Sequence, residues 1–322
     1  MARPKIYSTA RLDDYAERVL AECGELIFAT DTKEATMVKE IDDAVAFVVR
    51  GGMLPIRKAV IDQSKALKVI GRTGVGYDNI DLDAVNARRI PIIYTPGAGA
   101  RAVAEGAMTY MLSLCKLAPY WDKQLKGGNW KSRLEVQGRD LDGATLGIIG
   151  LGRIGQLLSE MAQPFNMTVL AYDPVVTPVQ AANVGARLVS LDELFSKSDF
   201  VSLHCPATPE NMGLVSRQRI AQMKRGSYVI NLSRGALIES LDALDDALES
   251  GQLAGVGLDV FEPAPPDITH PLFKRDNCLT SPHSMATTAG AMTRIFKSMA
   301  DDMAAVLRGE KPKFVANPEV MK

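Results

Sequence analysis

The run Gly147-Ile148-Ile149-Gly150-Leu151-Gly152-Arg153-Ile154-Gly155 decides how the chain is read. It is entered from the strand-like Thr145 to Ile149, Ile154 to Ala162 behind it reads as a helix, and Met167 to Tyr172 reads as the next strand, closed by Asp173. Each glycine has its own task in such a turn. Gly150 permits the tight bend, Gly152 lets backbone approach a pyrophosphate, and Gly155 lets the helix pack closely on the strand. The helix N-terminus offers free N–H groups and a partial positive charge to phosphates. Asp173 is placed to accept from both ribose hydroxyls and would repel a 2′-phosphate, so the expected cofactor is NAD rather than NADP. An ordinary glycine-rich turn with an exposed aspartate is the competing reading, and the matched strand, helix and strand argue against it.

With 322 residues, 47% of them hydrophobic, the chain is sized for about two domains. Its 37 basic residues against 38 acidic ones form no long basic run, so nucleic acid and anionic membranes are not expected partners. No stretch reaches the roughly 18 apolar residues of a membrane span. Met1-Ala2-Arg3-Pro4-Lys5 runs into a strand rather than a signal-peptide core, and a cytoplasmic protein is expected. Cys23, Cys115, Cys205 and Cys278 are scattered, with no CxxC spacing or nearby histidine cluster. They read as buried free thiols, and no metal site is expected.

Strand-like and helix-like segments alternate from the start. Lys5 to Ser8, Leu26 to Ala29, Ala46 to Arg50, Lys68 to Gly71 and Pro91 to Tyr94 read as strands, with helical stretches such as Leu12 to Glu22 between them. Such alternation argues for a parallel α/β sheet. A second series starts at Ala144 and continues through Met167 to Tyr172, Phe200 to His204, Tyr228 to Leu232, Gly255 to Leu258 and Cys278 to Ser281. Two α/β units are expected. Between them Ala100 to Leu117 reads as a long helix, and Trp121 to Gly143 as an irregular polar stretch carrying both tryptophans. That stretch is open to two readings: an arm embracing a second subunit of a homodimer, or a surface loop with packed aromatics. Ala286 to Leu307 is helical again, with Ile295, Met299, Met303 and Val306 at three- and four-residue spacing. If this helix crosses back to the first unit, the cofactor unit is an insertion. Its hinges then lie near Pro96 to Ala100 and His283 to Thr288, with the active site between the units.

Four further segments fall at ends of expected strands, where ligands of doubly wound sheets bind. They are Gly71-Arg72-Thr73-Gly74-Val75-Gly76-Tyr77-Asp78, Asn231-Leu232-Ser233-Arg234-Gly235, Gly257-Leu258-Asp259-Val260-Phe261-Glu262-Pro263 and Ser281-Pro282-His283. With the alternating architecture, Ala102-Val103-Ala104-Glu105 and Asn317-Pro318-Glu319, they resemble the D-isomer-specific 2-hydroxyacid dehydrogenase family, above all its phosphoglycerate and hydroxypyruvate/glyoxylate branches. The resemblance covers nearly the whole chain. It implies an α/β fold of two doubly wound parallel-sheet domains, a Rossmann NAD domain (100–287) inserted in a flavodoxin-like substrate domain (1–99 and 288–322). The implied activity interconverts a small D-2-hydroxy acid, phosphoglycerate or glycerate for instance, and its 2-oxo acid by hydride transfer with NAD.

Arg234 offers a permanently charged fork that can hold the carboxylate of a 2-oxo acid or polarise its carbonyl. His283 is suited to move the proton on that oxygen, because imidazole titrates near neutral pH. The resemblance assigns these catalytic roles to the same two residues. It implies that the loop of Val75 and Gly76 holds the substrate carboxylate, and Arg50 can add charge there. It also implicates Arg153 and Ile154 at the phosphates, and Cys205, Leu232, Ser233 and Asp259 around the adenosine and nicotinamide ends. A helix or turn cap is the other reading of Asp259. Met285 offers an adaptable apolar wall to the substrate pocket. Arg101 stands where relatives carry a small polar or acidic residue; it either meets a second anionic group of the substrate or is solvated. His204 and His270 read as structural or exposed.

The main departure from the family lies at Ala264, where the resemblance calls for a glutamate that keeps the catalytic histidine protonated and oriented. Three consequences are open. Glu262 or Asp267 reaches His283 through an altered loop, the enzyme works without the partner, or turnover is weak or lost. The last would suit an NAD(H)-sensing dimeric scaffold like the family's corepressors; formate or phosphite oxidation matches the loops less well. Ala264→Glu is expected to raise the apparent pKa governing oxo-acid reduction, and an unchanged pH–rate profile would refute that account.

Overall fold

The computed structural model describes residues 3–51 and 54–322, so Met1 and Ala2 of the N-terminal stretch lie outside the described residues. The chain divides into two compact units, one running to Gly99 and resumed over Thr287–Lys322, the other Ala100–Ala286.

In the first unit β1 (Lys5–Ser8), β2 (Glu25–Phe28), β3 (Ala44–Val49), β4 (Val69–Arg72) and β5 (Ile92–Ile93) form a sheet of order β2-β1-β3-β4-β5. All its strand pairings are parallel. This is the flavodoxin-like order. Parallel strands covered on both faces must be apolar on both, and here they are. Tyr7, Phe47, Ile70 and Ile92 join one buried cluster, while their neighbours Ile6, Val48, Val69 and Ile93 join another. The helix Ala289–Leu307 covers the second face, so closely that a Cβ at Gly71 would stand 2.0 Å from Met303 Sδ. Buried Asn317 closes the β5 edge: its Oδ1 accepts Ile92 N at 2.8 Å and its Nδ2 donates to Ile90 O at 3.0 Å.

The second unit contains β6 (Thr145–Ile149), β7 (Thr168–Tyr172), β8 (Ala186–Leu188), β9 (Phe200–Leu203), β10 (Ser227–Asn231), β11 (Leu253–Leu258) and β12 (Cys278–Thr280). Their order is β12-β11-β10-β9-β6-β7-β8, again parallel throughout. Counted from β6 this is the Rossmann order 3-2-1-4-5-6 with one strand added, and the order reverses between β6 and β9. The fold class expected from sequence is the one observed. On one face lies the helix Ala100–Cys115, with Tyr110, Met111 and Leu114 buried; Leu203, Val229 and Val256 face the other cluster.

The structure corrects two local expectations. The stretch from Trp121 is not irregular throughout, because Ala118–Lys126 is a helix and Trp130–Leu134 a 3-10 turn. Leu117 at φ 55° breaks the chain from the preceding helix, and Pro119, without an N–H to lose, starts the next. Strand β8 was not anticipated from sequence; three residues after Gly185 are too short for a period to show.

Gly257 of β11 lies under the Tyr110 ring, where a Cβ would come within 2.8 Å of Tyr110 Cβ, Cγ and Cδ2. Gly257→Ala is expected to destabilise the fold by about 1–3 kcal/mol through overpacking, measured by chemical denaturation; an unchanged midpoint would refute this packing account.

Candidate active site

The turn after β6 is glycine by necessity. Gly150 has φ 94°, and a Cβ there would stand 2.6 Å from Cys205 N and 2.7 Å from His204 C, at the end of β9. At Gly155 a Cβ would lie 2.2 Å from Gly150 O, so the helix Arg153–Ala162 meets the turn backbone to backbone. Gly152 differs from both. It is the N-cap of that helix, makes no side-chain cap bond, and a Cβ there would enter open space. The N-terminal N–H groups around Arg153 and Ile154 therefore face a cradle that a side chain would fill, which suits a pyrophosphate.

Asp173, half-buried at the end of β7, clasps this turn. Its Oδ2 accepts Leu151 N at 2.8 Å, and its Oδ1 accepts Val175 N at 2.9 Å and Val176 N at 3.1 Å. A carboxylate has about four acceptor positions, so capacity for a ribose hydroxyl remains. The ends of β9 and β10 are joined in turn: Ser233 Oγ donates to Cys205 O, and Ser233 N donates to Asn231 Oδ1 at 3.0 Å. Burial pushes the Cys205 thiol up to about 11, which keeps it protonated and a poor nucleophile at neutral pH. His204 accompanies it, with Nε2 2.8 Å from Ser202 Oγ; burial lowers its pKa to about 4, so the ring is neutral. His270 is a cap, its Nδ1 accepting Leu272 N at 3.1 Å and its Nε2 lying 3.0 Å from Asp242 Oδ1.

Arg234 leaves β10 half-buried, its carbonyl accepting Asn231 Nδ2 at 2.9 Å and its Nη1 donating to Ser233 O at 2.8 Å. Gly235 follows because Phe261 crosses behind it; a Cβ would stand 2.0 Å from Phe261 C. Asp259 ends β11 at 3% exposure, and its capping reading describes its contacts within the protein. The carboxylate accepts Ser281 Oγ, Ser284 N at 2.7 Å and Met285 N at 3.3 Å. Its carbonyl accepts His283 N at 2.8 Å. His283 is exposed at φ 54°, a left-handed backbone that costs an L-residue roughly 1–2 kcal/mol unless its surroundings hold it. Of the two acids considered as substitutes at the Ala264 gap, Asp267 turns back on its own loop, its Oδ1 accepting Thr269 N at 2.9 Å and Thr269 Oγ1 at 2.7 Å. Glu262 is exposed.

The remaining expected residues are more dispersed. Met285 and Leu232 pack on the helix Ala100–Cys115, where a Cβ at Gly106 would meet Met285 Cβ at 2.9 Å and Leu232 Cδ2 at 3.1 Å. Arg101, near the start of that helix, pairs with Glu105 at 3.0 Å on an exposed face. Arg50, Val75 and Gly76 belong to the first unit. Arg50 N donates to Thr9 Oγ1 at 2.9 Å, and its guanidinium carbon lies 5.3 Å from the Phe296 ring centre. Val75 is 47% exposed, on a loop anchored by Thr95 N donating to Gly74 O at 2.9 Å.

Residues 108–285, more than half of the chain, match the model of the family described as "D-isomer specific 2-hydroxyacid dehydrogenase, NAD binding domain". The chain belongs to this family. Its second unit is the family's NAD-binding domain. The D-3-phosphoglycerate dehydrogenase of Methanocaldococcus jannaschii is 38% identical over 314 residues, 97% of this chain and 59% of that protein. The chain thus spans little more than half the length of the curated relatives it matches. Among solved structures, the TT0316 protein from Thermus thermophilus aligns with TM-score 0.89 at 32% identity, covering 97% of this chain and 99% of that one. A D-lactate dehydrogenase from Aquifex aeolicus complexed with NAD and lactic acid aligns with TM-score 0.85 at 28% identity, covering 95% and 96%.

Reading the sequence as a dehydrogenase of this family missed Tyr110, whose hydroxyl lies 2.5 Å from Ser281 Oγ. The only signal was a tyrosine on the buried face of an apolar helix, and its partner is 171 residues away. The glycine geometry makes a paired prediction. Gly150→Ala is expected to lower thermal stability and abolish NADH binding. Gly152→Ala is expected to hold the melting temperature to within about 2 °C while weakening NADH binding about tenfold or more. Fluorescence titration and thermal melts check this, and equal stability losses in both variants would refute it.

Proposed function

We propose that the protein is an NAD-dependent oxidoreductase interconverting a small D-2-hydroxy acid and its 2-oxo acid. The observation that carries this reading is topological: Arg234, Asp259 and the turn of His283 follow β10, β11 and β12 on the sheet edge that also bears the glycine cradle. Bound NAD supplies the hydride acceptor or, reduced, the donor. Arg234 holds the substrate carboxylate and polarises the C2 oxygen as negative charge grows on it. During reduction His283 gives its proton to that oxygen, and during oxidation it takes the proton back. Arg50, Val75 and Gly76 are proposed to bind the carboxylate, and Met285 to line the substrate pocket. Arg153, Ile154, Asp173, Cys205, Leu232, Ser233 and Asp259 are proposed to hold NAD.

Phosphoglycerate, glycerate and hydroxypyruvate are the substrates proposed first, supported by the similarity to D-3-phosphoglycerate dehydrogenases. Arg101 would have to release Glu105 to meet a phosphate, an exchange that costs little between exposed groups. We further read the protein as a cytoplasmic homodimer. Its four thiols are free, as suits a reducing compartment. The arm shows Leu125, Trp130 and Leu134 at 59, 65 and 80% exposure, between anchors at Lys123–Asp276 (2.7 Å) and Arg139 Nη1–Gly226 O (2.8 Å). A second copy covering that arm would bury these side chains.

Ala264 favours a second reading, an NAD(H)-sensing scaffold with little turnover. NADH oxidation with a panel of phosphorylated and unphosphorylated 2-oxo acids separates the two. The expected result is turnover on at least one of them, reduced about 10²–10⁴-fold by His283→Ala. Tight NADH binding with no turnover on any member would overturn the enzyme reading.

A further inference from the structure

Tyr110 reaches across from the helix Ala100–Cys115 to the turn that carries His283. Its ring is pressed on β11 at Gly257, and its hydroxyl lies 2.5 Å from Ser281 Oγ and 3.3 Å from Leu258 O. Ser281 Oγ is bonded in turn to Asp259 Oδ1. Counting protons settles the direction. A carboxylate only accepts, so the single Ser281 proton goes to Asp259, and the Tyr110 proton is then shared between Ser281 Oγ and the more distant Leu258 O. Burial pushes the phenol up to about 12, so it remains a donor at neutral pH. Beyond Asp259 the chain of bonds continues into Ser284 N, Met285 N and, through the carbonyl, His283 N.

We propose that Tyr110, acting through Ser281 and Asp259, is a positioning residue for His283, fixing by hydrogen bonds the backbone turn from which the His283 ring projects. An exposed residue at positive φ persists only where its surroundings over-determine it. Among the bonds that hold this turn, the ones from Tyr110 and Ser281 come from side chains, so a single substitution can remove them without altering the backbone. The inference rests on the reading of His283 as the proton donor.

Tyr110→Phe keeps the ring against Gly257 and deletes the donor, Ser281→Ala deletes the middle link, and Ser281→Thr retains the hydroxyl. The first two are expected to lower kcat about tenfold with KM for NADH within about twofold, and Ser281→Thr to retain most of the wild-type rate. Position can also be read without turnover. The chain has three histidines, so the His283 ring signal can be identified by its loss in His283→Ala and followed by NMR. Tyr110→Phe is expected to shift or broaden that signal and leave those of His204 and His270 in place. The proposal fails if Tyr110→Phe and Ser281→Ala both leave kcat and the His283 signal as in the wild type, or if Ser281→Thr is as impaired as Ser281→Ala. Should the wild type turn over no 2-oxo acid, the ring signal still decides the positioning, and only the reaction assigned to His283 falls.

Discussion

Parallel pairing of every strand in the second sheet sends the loops after β6, β7, β9, β10, β11 and β12 to one edge, and the candidate site depends on that constraint. A parallel sheet needs covering helices on both faces, which is why the strands read as apolar runs and why the polar residues collect where the strands end. The order reverses between β6 and β9, and there the turn of Gly150 lies against the backbone of Cys205 with no room for a Cβ.

The loops at this edge are tied by the side chains that close the strands. Asp173 after β7 accepts from Leu151 N in the turn after β6, and Asn231 at the end of β10 bonds Ser233 N and Arg234 O. Asp259 after β11 holds Ser284 N and Met285 N in the turn after β12. These bonds fix the loops before any ligand arrives, which is what preorganised charge stabilisation needs. Burial also limits which groups can exchange protons here. It holds Tyr110 and Cys205 protonated and His204 neutral near pH 7, while His283 stands exposed at the end of its turn.

Much of this was legible in the sequence because its causes are local. The glycine run carried its own strand, helix and second strand, and the alternation of apolar segments foretold two parallel sheets. Where the cause was not local, the letters were silent or misleading. Strand β8 is too short to show a period, and the helix Ala118–Lys126 was hidden by the polar, glycine-rich stretch it opens. Asp259 shows the limit most clearly. Its place in a motif left a cofactor role and a turn cap both open, and only its place in the fold brings Ser284 N and Met285 N to its carboxylate.

The sequence by itself determined the fold class, the dinucleotide turn and the residue types that stand at the strand ends, because these follow from backbone freedom, periodicity and side-chain chemistry along short stretches. Only the tertiary structure decided what holds the turn of His283. Asp267 is committed to its own loop, and the hydrogen bonds of Tyr110, Ser281 and Asp259 join residues far apart in the chain, brought together by the packing of one helix on β11.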